Sequence, residues 1–247
     1  MAKDLARLGS MTARNGFRNE RDIADKFNRW ASDREAQQWL EIMGYPLREI
    51  EKVIAVALPR RYKADVQVQI TVILRQAIAA ENLSVKLVSN PQGFNQVDKR
   101  TVDSYQELWG MDGETARLLK LFTGETIPQR SGLRDARRMY FDEMTEVERS
   151  AVIGFFRKKR ILIVTDLLKG RGKLSAGWML VTLNAGGSVK WVLKSINEAM
   201  NTFGCGEVEF TAQGNLRIGR IGMQRKGGTP DPTKLQFKIN PVDLFDD

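Results

Sequence analysis

The sequence predicts a mixed α/β protein in which a central mixed β-sheet is flanked by helices. Three observations carry that reading. Residues 17–43 repeat apolar side chains at helical spacing: Phe17, Ile23, Ala24, Phe27 and Trp30, then Trp39, Leu40 and Met43. From Asp65 the chain alternates strictly, with Val66, Val68, Ile70 and Val72 on one face and Asp65, Gln67, Gln69 and Thr71 on the other, as in a half-buried strand. Two capping boxes, Thr145-x-x-Glu148 and Ser195-x-x-Glu198, open further helices.

The remaining elements follow in order. Asp33 divides the first helical stretch in two. Residues 52–58 read as a strand, Pro59-Arg60-Arg61 starts a turn, and the alternating strand follows. Residues 83–88 form the next strand, while 75–82 is compatible with strand or loop. Helices are expected at 101–109 and 114–122, and the first capping box starts a helix running to about Lys159. The apolar run Ile161-Leu162-Ile163-Val164 reads as a buried central strand. Strands at 178–183 and 189–193 precede a helix ending near Phe203, and strands near 206–211, 216–223 and 234–239 complete the chain. With no repeat and no internal boundary, residues 1–247 read as a single domain.

Composition excludes several classes of chemistry. A chain of 247 residues with 42% hydrophobic residues can bury a full core and is not disordered. Lysine and arginine number 39 against 30 acids, a net charge of +9, which suits a polyanion partner. The absence of histidine removes Ser-His-Asp and Cys-His machinery, histidine-ligated zinc and the usual general base. A lone cysteine, Cys205, excludes an internal disulfide and reads as a small buried or semi-buried residue. The N-terminus lacks the apolar segment of a signal peptide, and no apolar run approaches the roughly 20 residues of a membrane span, so a cytoplasmic location is expected.

Candidate chemistry begins with Asp65, followed after eighteen residues by Ser84-Val85-Lys86. Side chains two apart in a strand share a face, so Ser84 and Lys86 project together. A carboxylate that anchors a hard cation such as Mg²⁺, beside a lysine that meets a phosphate or its attacking water, is a phosphodiester-cleaving arrangement. Ser84 stands where a second acid is expected. The bland alternative is a surface aspartate and a lysine stretched over a strand, and the spacing alone does not separate the two.

Glu20 falls on the same inward stripe as Ile23 and Ala24, where a carboxylate is costly without a partner. It is either an acid favoured near a helix start or the acid that Ser84 does not supply, with Asp25 a weaker candidate. The loop from Ser89 to Arg100 carries Phe94, Asn95, Gln96 and Lys99. Amide and cationic side chains of this kind read base edges and phosphates, and an exposed phenylalanine wedges between base steps. An ordinary turn with Phe94 packed on the core is the alternative. Arg225 and Lys226, before Gly227-Gly228, sit in a loop that reads bases, grips phosphates or merely faces solvent, and it lacks Walker spacing. Arg171, within the Gly- and basic-rich loop Lys169–Lys173, is a further DNA-binding candidate.

Several blocks spread over nearly the whole chain resemble the HinP-type type II restriction endonucleases, which recognise GCGC and are related to the MspI enzyme. They include Gly16-Phe-Arg-Asn-Glu20, Val85-Lys-Leu-Val-Ser-Asn-Pro-Gln-Gly-Phe94-Asn-Gln-Val-Asp-Lys99, Ser104-Tyr-Gln-Glu-Leu-Trp109, Thr165-Asp-Leu-Leu-Lys-Gly-Arg-Gly172, Gln224-Arg-Lys-Gly-Gly228 and Leu235-Gln-Phe-Lys-Ile239. The resemblance implies a PD-(D/E)xK restriction-endonuclease-like fold and Mg²⁺-dependent hydrolysis of double-stranded DNA. It matches Asp65 to the family's metal-binding aspartate, Lys86 to its catalytic lysine and Phe94 to its intercalating aromatic, and places Gln96 and Lys99 in the recognition loop. Ala64 stands where the family pattern has Ser, and Ser84 where it has Gln.

The expected mechanism has Asp65 holding Mg²⁺ with help from Glu20, while Lys86 stabilises charge at the phosphate. Without histidine, water activated by the metal is the expected nucleophile. Arg225, Lys226 and Gln96 are the expected guanine contacts, and recognition loops are expected near 89–100 and 224–229. A restriction-modification role implies a cognate DNA methyltransferase, and the enzyme is expected as a monomer or weak homodimer. Two alternatives stand beside this reading: a structure-specific repair or junction nuclease of the same fold, and a basic DNA-binding protein without catalysis.

Overall fold

Apolar alternation and helical periodicity sort the chain into elements whose buried faces agree with the pattern. The computed structural model describes residues 2–58, 68–75, 77–185, 187–227 and 233–246, with side chains considered from residue 15 onward. Asp65, the turn at 59–61 and the end of the 224–229 loop lie outside the described residues.

The chain opens with α1 (Ala2–Asn28) and α2 (Arg34–Ile42), followed by β1 (Ile50–Ala57), β2 (Val68–Leu74), β3 (Ile78–Val88) and β4 (Asn95–Arg100). Helices α3 (Val102–Trp109), α4 (Gly113–Thr123), α5 (Glu146–Lys158) and α6 (Arg160–Leu168) come next. Then follow β5 (Trp178–Ala185), β6 (Ser188–Ser195) and α7 (Ile196–Gly204). Four short strands, β7 (Val208–Phe210), β8 (Leu216–Ile218), β9 (Ile221–Arg225) and β10 (Leu235–Ile239), lead to a 3-10 turn at Pro241–Phe245.

These elements divide into two compact units. The first comprises Met1–Gly93, Leu168–Met200 and Pro241–Asp247, and the second Phe94–Leu167 and Asn201–Asn240. The first unit holds the expected mixed sheet, ordered β1-β2-β3-β5-β6. Its β3 and β5 are parallel and the other pairs antiparallel. Val68, Ile70 and Val72 of β2 are fully buried, in agreement with their alternation. They pack with Leu83 and Val85 of β3 against Ile23, Ala24 and Phe27 of α1 and Trp39 and Leu40 of α2. The Phe27 and Trp39 rings lie 5.2 Å apart, and Trp191 meets Trp39 edge-on at 5.6 Å. Asp33 caps α2 by accepting from the backbone N–H groups of Glu35 and Ala36. Asn28 pairs with both backbone groups of Ala55, covering part of the exposed edge of β1.

The second unit gathers the strands expected near 206–211, 216–223 and 234–239, together with β4, into a sheet of their own. It is ordered β4-β10-β9-β8-β7 and antiparallel throughout. Tyr105, Trp109, Phe156 and Phe237 form one aromatic cluster and Phe122, Phe141 and Phe210 another. The Thr145/Glu148 capping box forms as expected, as does the reciprocal Ser195/Glu198 pair at the start of α7.

Four expectations are corrected. The loop expected at 89–100 is a strand from Asn95 onward, because residues 95–100 pair with the distant β10. Residues 161–164 are helical within α6, where Ile163, Val164, Leu167 and Leu168 are buried at helical spacing and Ile161 is 78% exposed. The apolar run was too short to reveal its period. The expected strand at 216–223 is two strands, because Gly219, at φ +54°, turns the chain between them. Cys205 is exposed rather than buried, since it lies in the turn just beyond α7.

Gly219 and Gly187 both take positive φ, but only at Gly219 would a Cβ collide with backbone, namely the Cys205 and Phe203 carbonyl oxygens. Gly187→Ala is expected to cost about 1–2 kcal/mol from its left-handed backbone alone. Gly219→Ala should cost several times that in urea unfolding, and equal losses would contradict this packing.

Candidate functional site

Strand β3 carries the first group of candidates. Leu83 and Val85 enter the core with α1, so by alternation Ser84 and Lys86 project from the opposite face. Ser84 is 2% exposed and Lys86 half-buried, in register with Met179 and Val181 of β5. The strand is fastened at its other end. Glu81 accepts hydrogen bonds from Tyr45 Oη at 2.7 Å and Trp178 Nε1 at 2.9 Å. Asn82 donates to the backbone carbonyls of Lys173 and Ser175, which ties down the loop bearing the exposed Arg171.

Glu20 is 6% exposed on α1, one turn before Ile23 and Ala24, as its periodicity predicts, whereas Asp25 is exposed. The described residues thus bring Ser84 and Lys86 onto one face, while Glu20 is buried in α1, which packs on the other face of the same sheet. Among them no three Asp, Glu, Cys or His side chains cluster as a metal site. The donors present are a buried carboxylate and a buried hydroxyl. Both are oxygen ligands of the type a hard cation takes, but they stand on opposite sides of the sheet, and Asp65 lies outside the described residues.

The second group lies on the other sheet. Phe94 is 61% exposed, so it does not pack back on a core. Strand β4 bulges where it meets β10. Asp98 pairs with Phe237 but Gln96 with Lys238, leaving Val97 as the extra residue. The bulge puts Gln96 and Lys99, three residues apart, on the same outer face, while Asp98 and Arg100 turn to the core. There Arg100 lies 3.1 Å from Asp98 and 3.2 Å from Asp166. Asp98 also accepts from Tyr105 Oη, and Asp166 from Trp109 Nε1 at 2.8 Å. Burial pushes the Asp98 carboxyl above its usual range despite the neighbouring guanidinium.

The outer face is basic and rich in amides. Gln236 is 4% exposed and donates to Gln96 Oε1 at 2.6 Å, while Gln224 donates to Gln236 Oε1 at 3.4 Å. Burial, with Lys226 and Lys234 nearby, holds the Lys99 ammonium below its usual pKa, and burial and Lys226 do the same to Lys238. Sequence reasoning passed over Gln224, Gln236, Lys234 and Lys238; the signal available was the polar positions alternating with Leu235, Phe237 and Ile239. Arg225 points away from this face. Its side chain is 11% exposed and lies 3.7 Å from Asp135, whose own carboxyl is held down to about 2, chiefly by a hydrogen bond from Arg137. Asn95 is half-buried at the start of β4.

This architecture is that of a restriction endonuclease. The chain matches the structure of restriction endonuclease MspI, solved in complex with its cognate DNA, with a TM-score of 0.65 at 15% identity, covering 94% of this chain and 92% of that one. The sequence model of the R.HinP1I restriction endonuclease family matches residues 43–245, and the chain belongs to that family. Glu20 precedes the matched residues. No curated protein matches the chain by sequence. No helix among the described residues is long and apolar enough to cross a membrane.

The buried acids that hold Arg100 are expected to matter for stability as well as orientation. Asp166→Ala leaves the Trp109 indole N–H and one side of Arg100 unpaired, which should cost about 3–5 kcal/mol in denaturant unfolding. A loss below about 1 kcal/mol would show that the cluster does not hold this unit together.

Proposed function

We propose that this restriction endonuclease is a type II enzyme that hydrolyses double-stranded DNA at a short palindrome, GCGC, with Mg²⁺. The observation that carries the reading is the pair of prepared surfaces, a strand face with Ser84 and Lys86 and a basic, amide-lined sheet face with Gln96 and Lys99. Family membership supports the reaction class, and the resemblance of residues 85–99 supports the site. Residues 1–247 act as one nuclease in this reading, inside the cytoplasm and alongside a cognate DNA methyltransferase, as a monomer or weak homodimer.

Asp65 would hold the Mg²⁺ ion, with Glu20 helping directly or through water. When bound, the ion supplies charge neutralisation at the scissile phosphate. Lys86 places a cation against the non-bridging oxygens, where negative charge grows as water adds to phosphorus, and its half-burial strengthens that interaction. Ser84, shorter than the family's glutamine, lines the site and donates or accepts through its hydroxyl. Arg171 contacts the phosphate backbone. Phe94, already exposed, enters the base stack, while Asn95, Gln96, Lys99 and Lys226 address base edges and phosphates. Arg225, expected as a guanine contact, stays on the core side beside Asp135.

Digestion of a plasmid in Mg²⁺, followed by sequencing of the fragment ends, tests the reading. Discrete ends at GCGC are expected; ends at branched or damaged structures would favour a repair nuclease. Lys86→Ala should lose at least about 100-fold in cleavage rate while still binding the duplex, since it removes a group that stabilises charge in the transition state. Wild-type cutting by that variant would remove Lys86 from the mechanism.

Lys99 supplies a second check. Its pKa is low in the free protein because of burial and the neighbouring Lys226 and Lys234. A phosphate or guanine edge brought against it raises the pKa again, so binding takes up a proton once the pH exceeds the free value. Affinity is therefore full below that pH and falls as pH rises through it. Because arginine stays charged, Lys99→Arg is expected to hold its affinity to higher pH in fluorescence anisotropy titrations. Superimposable pH profiles would exclude Lys99 from the contact.

A further inference from the structure

The amides on the outer face of the second sheet form a directed chain. Gln224 Nε2 donates to Gln236 Oε1, and Gln236 Nε2 donates to Gln96 Oε1 at 2.6 Å. Gln236 is 4% exposed and sits between Gln224 on β9 and Lys99 on β4, so it cannot present its own amide to a large ligand. Its neighbours can, because Gln96 is exposed and Gln224 half-buried.

This direction changes what each neighbour offers. A free glutamine amide carries a donor and an acceptor side by side, which matches the N6 and N7 edge of adenine. Gln96 has its oxygen held toward Gln236, which fixes the orientation of the amide and leaves its NH2 group as the leading edge for a ligand. A leading donor suits the O6 and N7 of guanine and is a poorer match to the paired donor and acceptor of adenine. Gln224 has one N–H held toward Gln236, so its oxygen leads instead, which suits the exocyclic amine of cytosine. Lys99, Lys226 and Lys238, donors only, surround the chain with groups that favour the same acceptors.

We infer that Gln236 is a specificity-determining positioning residue, a buried amide that turns Gln96 into a guanine-selecting donor and Gln224 into a cytosine-selecting acceptor. The inference rests on the proposed reading of this face as the base-reading surface. It adds that discrimination against adenine is set by a residue that touches no base.

The experiment compares kcat/KM in Mg²⁺ on short duplexes containing GCGC and on duplexes in which one G·C pair is replaced by A·T, for wild type, Gln236→Met and Gln236→Glu. Methionine keeps the volume without hydrogen bonds. Glutamate still accepts from Gln224 but cannot donate to Gln96. With Gln236→Met, preference for guanine over adenine is expected to drop at least about tenfold at the position read by Gln96, the equivalent of one lost contact. Gln236→Glu should relax that position and leave the cytosine preference in place. A general packing role would lower all duplexes alike and leave the ratios unmoved. Unchanged ratios in both variants, with wild type discriminating, would overturn the inference and spare the proposed function. A wild type that cuts every duplex equally would overturn both.

Discussion

Arg100 places a full positive charge on the core side of β4, and the second sheet is arranged around satisfying it. Removing such a charge from water costs several kcal/mol, which two carboxylates return only with good geometry. Asp98 and Asp166 approach it from the strand and from α6, and Tyr105 and Trp109 donate to the same two carboxylates. Buried ion clusters of this kind add little net stability over an apolar core, but they penalise every wrong register. Here the penalised error is a strand that turns Asp98 or Arg100 outward. The orientation of Gln96 and Lys99 is the consequence, because the faces of a strand cannot be chosen separately.

The first unit reaches its site by a different route. Its mixed sheet is held by apolar packing of α1 and α2, and the polar face of β3 is left to Ser84 and Lys86. Glu81 and Asn82 fix that strand through Tyr45, Trp178 and the loop after α6. A cation on a fixed strand loses little entropy in meeting a phosphate, an advantage over the same lysine on a flexible loop. In the proposed reading, the catalytic lysine therefore stands on a fastened strand and the base-reading surface on a second sheet.

Legibility in the sequence followed the range of the interactions. The capping boxes at Thr145 and Ser195 were readable because donor and acceptor are three residues apart. The alternation of Val68, Ile70 and Val72 was readable because burial repeats every second residue. Glu20 could be placed inward from its helix face alone. The α6 segment was misread because four consecutive apolar residues carry no period, and the neighbours that reveal a helix, Leu167 and Leu168, lie beyond it. The amide chain was invisible for a stronger reason, since Gln96 and Gln236 are 140 residues apart and nothing local marks them as partners. The strands near 206–211, 216–223 and 234–239 were legible one by one, but β4 and the separate sheet they form with it were not, because that pairing joins distant segments.

The extra residue in β4 has a consequence for how such a surface changes over time. Because Val97 is unpaired, Gln96 and Lys99 share a face despite an odd separation. Val97 is therefore a place where the strand can change length without changing sides, since its loss would leave Gln96 opposite Lys238 and Lys99 opposite Gln236. A residue gained or lost in the regularly paired part of β4 instead exchanges inside for outside and sets an outer side chain against the Arg100 cluster. On the proposed reading of this face, base preference along β4 changes by replacement of side chains at 96 and 99, and the length of the strand changes at the bulge.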